Sequence, residues 1–367
     1  MGRETMTVRV GVVGLSATGS WASYAHLPAL RAVEGFEVRA LATSSPESAQ
    51  AAAEAYGVPL AFSSVEDLAR CDEVDLVVVA VKVPHHRELV LEALSAEKPV
   101  LCEWPLANGV AEAAELASAA EGKHAYVGFQ GTAAPAVRYL QDLIADGFVG
   151  ELVSTSLIAT AGPWGGPVGN RTEYLLDKSN GATLLSIVFG HLVDSFSYIV
   201  GDLADLNATT GIRRPTVLNT DSGEFVTATA EDEIVVTGTL TNGAIASLHL
   251  RGMNDHSSKL IWEINGTEGH LRIDGTGGTL ANPVTIRGAR GDDVLSELPV
   301  PDGYDHHADL VGSPAHAVAH AYDRLRLDLN GGSKQAPDFA HALLRHRLLD
   351  AIERAAETGS RQCIQGQ

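Results

Sequence analysis

A glycine-rich turn close to the N-terminus constrains the fold of this chain more than any other stretch. The apolar run Val8–Val13 leads directly into Gly14, Ser16 and Gly19, a G-x-S-x-x-G pattern. Such a run is typical of a buried strand that turns sharply into a helix, where a dinucleotide pyrophosphate meets the helix N-terminus. Serine occupies the second glycine position, and its β-carbon fits only if that residue does not need a positive φ. An ordinary glycine-rich βα turn is the alternative interpretation.

Length and charge narrow the classes of protein that the chain can form. Its 367 residues exceed the size at which one core usually keeps growing, so we expect two domains. The formal net charge of −20 opposes direct binding to nucleic acid or to anionic membranes. The longest hydrophobic run, 76–81, is too short to span a membrane, and the N-terminus lacks a signal-peptide pattern. Three cysteines without a disulfide or metal motif indicate a reducing compartment, so we expect a cytoplasmic protein.

Helical and strand-like segments alternate after the turn at the spacing of α/β units. This alternation predicts a doubly wound parallel sheet, a Rossmann domain that we place at residues 1–128. The segment Lys82–His86 follows the apolar strand 74–81, at the carboxyl edge where such sheets bind ligands. We predict helices over 21–33, 47–56, 65–70 and 87–96, and strands over 36–42, 60–62, 74–81 and 99–102.

The end of the second predicted strand bears on the choice of cofactor. An acidic residue there would hold the ribose hydroxyls of NAD, but this chain has Thr43, Ser44 and Ser45. Without a carboxylate there is no repulsion of a 2′-phosphate, and hydroxyls can donate hydrogen bonds to one. The pattern therefore favours NADP over NAD. The same residues could instead cap the helix that begins near Pro46.

Strand patterns dominate the second half of the chain, which we assign to a domain over residues 129–367. Hairpin signals at 241–243 and 265–269 separate some of these strands, and a helical insertion covers 181–198. A packing helix is predicted over 338–358, because its apolar residues recur at helical spacing. The strands are predicted over 150–157, 205–210, 233–240, 244–251 and 259–266; the helical positions are Leu343, Leu344, Leu348 and Ile352.

Several separated motifs, in order, resemble the glucose-fructose oxidoreductase, inositol dehydrogenase and MocA (Gfo/Idh/MocA) family. They are GVVGLSATG, VPHH, PVLCEWPLA and 126–130, and the resemblance spans nearly the whole chain. It implies an N-terminal Rossmann domain and an α+β domain with an open, mainly antiparallel sheet that covers the nicotinamide. It also implies an NAD(P)-dependent oxidoreductase of a sugar, polyol or related hydroxy compound.

The chain departs from that family at two places. The family's Glu-Lys-Pro triplet becomes Glu103-Trp104-Pro105, and Lys98 stands in a different turn before the strand. The residue four before His191 is isoleucine, not aspartate, and the helix carries one extra residue. His191 is then the only plausible general base, although a core histidine is the alternative. Asp194, one turn on, could orient its imidazole or merely cap a neighbour.

The same departures are similar to those of a subgroup that includes the fungal galactose-regulon repressor, a cofactor-binding relative that acts through protein contacts. A second hypothesis is therefore a catalytically weak or inactive NAD(P)-binding sensor. Lys178 or Tyr174 could replace the missing lysine as a functional group in the site.

We also expect a homodimer or homotetramer. The outer face of the C-terminal sheet is large and flat and carries alternating apolar residues, and exposing such a face to water is unfavourable.

The resemblance assigns roles to residues by position. Trp104 offers an apolar face and one N–H donor, which suit stacking on a ring; for Tyr174 and Asn180, simple loop packing is the alternative. The predicted catalytic residue is His191; the predicted substrate residues are Trp104, Tyr174, Asp177 and Asn180; the predicted cofactor residues are Gly14, Ser16, Ala17, Thr43, Ser44, Lys82, Pro84, His86, Glu103 and Gln130. No metal site is predicted.

Overall fold

The chain divides into two compact units in the computed structural model, which describes residues 7–253, 259–331 and 333–364. The first unit consists of residues up to Ala133 together with His307–Leu343, and the second of Ala134–His306 with the residues from Leu344 onward. The segment 307–343 thus packs with the N-terminal unit, whereas a division at residues 128 and 129 places it in the C-terminal domain.

A parallel sheet forms the centre of the first unit. Its strands are β1 (Val8–Val13), β2 (Phe36–Ala42), β3 (Leu60–Phe62), β4 (Leu76–Val79), β5 (Val100–Glu103) and β6 (Ala125–Gly128). Over the described residues the strand order is β3-β2-β1-β4-β5-β6, so the direction of winding reverses between β1 and β4. All residues of β4 and β5 are buried, as expected for a sheet covered on both faces. The predicted Rossmann fold is confirmed.

Helices cover this sheet, and one of them returns from late in the chain. The early helices are α1 (Leu27–Ala32), α2 (Pro46–Tyr56), α3 (Val65–Arg70), α4 (His86–Ser95) and α5 (Val110–Ala119). A π-helical segment, Ala22–His26, leads into α1. The later helix Ala315–Leu329 buries Val318, Tyr322 and Leu325 in one cluster with Val10 and Leu30. Burial of this apolar face explains why segment 307–343 belongs to the first unit.

A larger mixed sheet dominates the second unit. Its strands, with the small hairpin β9–β10, are β7 (Leu152–Ala161), β8 (Leu203–Gly211), β9 (Thr216–Leu218), β10 (Phe225–Thr227), β11 (Glu233–Leu240), β12 (Ile245–Gly252), β13 (Leu260–Gly266), β14 (Gly269–Gly275), β15 (Val284–Arg290), β16 (Ser296–Glu297) and β17 (Gln362–Cys363). The sheet order is β16-β15-β14-β13-β7-β12-β11-β8-β17 among the described residues. There β7 and β12 pair in parallel, while the other neighbours are antiparallel. The predicted open, mainly antiparallel sheet is confirmed.

The remaining helices are α6 (Pro135–Ala145), α7 (Gly190–Val200), α8 (Ala315–Leu329) and α9 (Phe339–Thr358). Helix α9 corresponds to the segment predicted as a packing helix. It buries Leu348 and Ile352, whereas Leu344 is 41% exposed and lies outside the buried face of the helix. Within the described chain, no helix combines the length and the apolar character that crossing a membrane would require.

Candidate dinucleotide site and active site

Glycine is required at two positions of the first βα turn. Gly14 has φ of +97°, and a β-carbon there would lie 2.4 Å from the carbonyl oxygen of Ala80. Gly19 has φ of +96°, and its β-carbon would lie 1.9 Å from the hydroxyl of Tyr24. Only glycine combines that φ with that close approach. The turn therefore has the tight geometry that the sequence pattern predicts.

Ser16 stabilises the turn from within. Its φ is not positive, as the serine substitution requires. Its Oγ accepts a hydrogen bond from the N–H of Thr18 at 3.3 Å, and its carbonyl accepts one from the Tyr56 hydroxyl at 2.8 Å. The next residue, Ala17, is exposed, and its main-chain N–H has no acceptor among the described residues. An exposed amide donor on this turn fits a pyrophosphate oxygen.

The end of β2 combines a helix cap with an exposed hydroxyl. Ser45 caps α2, because its Oγ accepts from the N–H of Ser48 and the Ser48 Oγ accepts from the N–H of Ser45. The Thr43 hydroxyl makes a local hydrogen bond with the Ser48 hydroxyl, with 2.6 Å between their oxygen atoms. Ser44 is exposed. The capping interpretation therefore holds for Ser45, while the Ser44 hydroxyl remains accessible to a ligand.

The loop after β4 contains both exposed and buried residues. Lys82 and Pro84 are exposed, but His86 is 1% exposed. The His86 Nδ1 lies 2.8 Å from the carbonyl oxygen of Pro105, and its Nε2 lies 3.0 Å from that of Val81. Burial lowers the pKa of His86. His86 thus joins the loops that follow β4 and β5 instead of offering its ring to solvent.

Glu103 ends β5 in a buried polar network. Its Oε1 lies 3.1 Å from the Nε2 of His26, and the Nδ1 of His26 lies 2.8 Å from the hydroxyl of Tyr322. Glu103 also leaves no room for a side chain at Gly128, where a β-carbon would lie 2.2 Å from its Oε1. The sequence analysis placed Glu103 beside the cofactor and did not predict this network, because His26 and Tyr322 both lie far from Glu103 along the chain.

Trp104 is 4% exposed, and its ring packs against Phe129 with 4.3 Å between the centroids. Much of its apolar surface is therefore already covered by protein. Nearby, Gln130 is 8% exposed, and its Oε1 has no hydrogen-bond partner among the described residues.

A cavity of about 30 Å³ lies beside Gln130, within the first unit, and includes Glu103, His26 and Tyr322 in its lining. This volume suits one or two water molecules and is far smaller than a dinucleotide. The cavity is thus a small, mainly apolar pocket and not the cofactor cleft itself.

His191 lies in the second unit at the start of α7. The preceding turn, Leu184–Phe189, is π-helical, a winding that holds more residues per turn than an α-helix. Most residues of α7 are buried, whereas His191 is only half-buried and Tyr198 is exposed. His191 is therefore not a core histidine.

Asp194 has a structural role of its own in the second unit. It is 1% exposed, and its Oδ1 accepts a hydrogen bond from the Nε of Arg345 at 2.9 Å. Arg345 also donates to the Asp202 carboxylate at 2.7 Å. This buried ion pair fixes α7 against α9.

Three of the predicted substrate residues, Tyr174, Asp177 and Asn180, lie in a loop of short turns before α7. Tyr174 is half-buried, and burial raises its pKa. Asn180 donates to the Tyr174 carbonyl at 2.9 Å, and Asp177 accepts from the N–H of Ser179 at 2.9 Å. These bonds give Asn180 and Asp177 loop-stabilising roles, the alternative raised above for Asn180.

Lys178, one candidate to replace the family's lysine, is paired with an acidic side chain. Its Nζ lies 2.8 Å from the Oε1 of Glu353, and the hydrogen bond to that carboxylate raises the pKa of the lysine. A general base needs an accessible unprotonated form near neutral pH, which this pairing opposes.

A glycine-dependent turn at the carboxyl edge of a doubly wound sheet defines a dinucleotide-binding Rossmann protein. Residues 8–130 match the family described as "Oxidoreductase family, NAD-binding Rossmann fold", and residues 135–275 match "Gal80p, C-terminal domain". The dehydrogenase aclE of Aspergillus oryzae is 31% identical to this chain, over 97% of each protein. The chain belongs to the Gfo/Idh/MocA oxidoreductase family.

Two solved structures share the fold across both units. A super-repressor mutant of Gal80p from Saccharomyces cerevisiae has a TM-score of 0.88 at 23% identity and covers 98% of each chain. A levoglucosan dehydrogenase in complex with NADH and levoglucosan has a TM-score of 0.83 at 21% identity, covering 98% of this chain and 100% of the other. At these identities the likeness establishes the fold.

Proposed function

We propose that this chain is an NAD(P)-dependent oxidoreductase that acts on a sugar, a polyol or a related hydroxy compound. The observation that carries the proposal is His191, a half-buried histidine on an otherwise largely buried helix. The names of aclE and of levoglucosan dehydrogenase, both dehydrogenases, support the reaction class. A bound oxidised nicotinamide would accept the hydride from the hydroxyl-bearing carbon of the substrate, and His191 would accept the proton of that hydroxyl.

Main-chain donors of the first turn suit the cofactor. Gly14 allows the tight turn, and the exposed amide of Ala17 donates to a pyrophosphate oxygen. Lys82, exposed at the carboxyl edge of the sheet, adds positive charge for the same phosphates. Glu103 and His86 are positioning residues in this proposal, because both side chains are buried in contacts with protein.

The test is anaerobic mixing of NAD⁺ or NADP⁺ with sugars, polyols and inositols while the absorbance of reduced nicotinamide is followed. We expect turnover, and we expect His191→Ala to lower kcat by about 10²–10⁴-fold, the usual contribution of a general base. Tyr198→Phe, on the same helix, is the matched control and should retain activity. Full activity in His191→Ala would show that another group is the base.

We propose NADP as the preferred cofactor. The β2 end carries no carboxylate at residues 43–45, and the Ser44 hydroxyl is exposed and able to donate to a 2′-phosphate. Titration against tryptophan fluorescence should then show tighter binding of NADPH than of NADH, and Ser44→Ala should narrow the difference. Equal or tighter NADH binding would overturn the preference.

A second candidate function is a sensor that binds NAD(P) and acts through protein contacts. It is favoured by the buried Trp104 in place of the lysine and by the Glu353 pairing of Lys178. The name of Gal80p, whose super-repressor mutant shares this fold, supports it. Micromolar cofactor binding without turnover across the whole panel would select this function over catalysis.

The proposed location is the cytoplasm. Cys71, Cys102 and Cys363 are all free thiols, and burial raises the pKa of Cys102 well above its usual range. Free thiols suit a reducing compartment. Fractionation of cells that express the tagged full-length chain should recover it in the cytosol.

A further inference from the structure

Three side chains of types that can bind a metal ion lie close together in the first unit. The proposed function does not use any of them. His320 and Asp323 belong to α8, and His307 precedes the short turn Ala308–Leu310. One ligand atom from each side chain lies within 4.8 Å of the ligand atoms of the other two. His320 is 3% exposed, so the cluster is anchored in packed protein.

The spacing on α8 brings its ligands to one side. Residues three or four apart on a helix are neighbours, which relates His320 to Asp323 and also to His316. The rings of His316 and His320 are in edge contact, with 5.2 Å between their centroids. Two histidines four residues apart on a helix face also provide the ligand pair of helical zinc sites. His316, which is half-buried, is thus a candidate fourth ligand.

The loop before α8 delivers the remaining ligand. The His307 Nε2 lies 2.7 Å from the Asp323 Oδ2, and the His307 ring centroid lies 4.9 Å from that of His320. Ligand atoms of a tetrahedral zinc site lie about 3.4 Å apart, given bonds of about 2.1 Å. Side-chain rotations of modest size would therefore bring all three atoms to binding distance.

The chemistry of the donor set favours zinc over other common cations. Imidazole and carboxylate together suit Zn²⁺, whereas Ca²⁺ and Mg²⁺ prefer sites built from oxygen alone. The Nη2 of Arg326 lies 3.8 Å from the Asp323 Oδ1, which leaves the Oδ2 on the side of His307. We propose that His307, His320 and Asp323, with His316 as a fourth ligand, bind a zinc ion.

The experiment is a calorimetric titration of the metal-stripped full-length chain with Zn²⁺ alone and, separately, with Mg²⁺. We expect one Zn²⁺ per chain, a higher melting temperature with Zn²⁺, and no response to Mg²⁺. Asp323→Asn and His307→Gln should each weaken Zn²⁺ binding at least about tenfold, the lower bound known even for outer-shell partners. His316→Gln, at a more exposed position, should weaken it as well.

A matched control is His249→Gln, since the Nε2 of His249 lies 3.0 Å from the Glu233 Oε2 in a similar pair, which belongs to neither of the possible metal-binding groups found among the described residues. This variant should bind Zn²⁺ like the parent chain, and circular dichroism checks that each variant is folded. The absence of stoichiometric binding would overturn the proposal. So would unchanged Zn²⁺ affinity in Asp323→Asn and His307→Gln, which would mean that the His307–Asp323 contact only fastens the loop.

Discussion

At the residue scale, the buried His26 shows how the end of β5 is held. The simplest assignment has the Tyr322 hydroxyl donating to Nδ1 and the Nε2–H donating to Glu103, so each ring nitrogen has one partner. Burial raises the pKa of Tyr322 well above its usual range, and the Glu103 charge adds to this, so the phenol keeps its proton. The network therefore fixes Glu103, the residue next to Trp104.

Tyr322→Phe should lower the free energy of unfolding by about 1–3 kcal/mol, because it leaves a buried imidazole nitrogen without a donor. Urea denaturation measures the change. Tyr304→Phe is the control. The Tyr304 hydroxyl donates to Asp142 at a half-exposed site, so its removal should lower the free energy of unfolding by less. If both variants lost the same free energy of unfolding, burial of the His26 network would not increase its contribution to stability.

His86 makes stability depend on pH. Because burial lowers its pKa, the folded chain binds a proton less readily than the unfolded chain does. The free energy of unfolding should fall as pH drops through the ordinary histidine range near about 6.5, with a slope of at most about 1.4 kcal/mol per pH unit for this group. His86→Gln should show a shallower slope between pH 7.5 and 5.5 in urea titrations. An unchanged slope would assign the dependence to other groups.

At the element scale, helices α7 and α9 are joined by the buried pair of Asp194 and Arg345. Arg345→Met should destabilise the fold by about 3–5 kcal/mol, because it leaves the buried Asp194 carboxylate without its positively charged partner. Asp194→Leu combined with Arg345→Met should recover much of that loss, since both charges are then gone. Urea denaturation of the single and double variants measures the coupling. Additive losses would contradict a direct interaction.

π-helical winding precedes two α-helices, one of which carries the proposed base His191. Ala22–His26 follows the first βα turn, and Leu184–Phe189 precedes His191. Such winding inserts a residue without breaking the helix and is frequent at functional sites.

At the scale of the whole molecule, self-association through the outer face of the large sheet stays a prediction. That face carries both apolar and polar side chains. Ile158 and Ile245 are exposed on it, beside polar residues such as Ser156 and His249. We expect a dimer or tetramer by light scattering, and Ile158→Asp with Ile245→Asp should shift it toward monomer. Val294→Asp, at an exposed loop position, should leave the mass unchanged. A monomeric parent chain would overturn this prediction.

The sequence by itself determined the parts of the protein that depend on local spacing. The glycines at 14 and 19 and the α/β alternation predicted the parallel sheet, and the strand patterns after residue 150 predicted individual strands. Each follows from constraints between near neighbours, such as a positive φ or the period of a strand. That those strands form one open, mainly antiparallel sheet was implied by the family resemblance.

Only the tertiary structure decided which polar side chains face protein. It placed His86 between two loops, paired Asp194 with Arg345 and Lys178 with Glu353, and returned α8 to the first unit. It also assembled His307, His320 and Asp323, which sequence analysis did not connect. These outcomes depend on contacts between segments far apart along the chain or on burial, and neither residue type nor spacing specifies them.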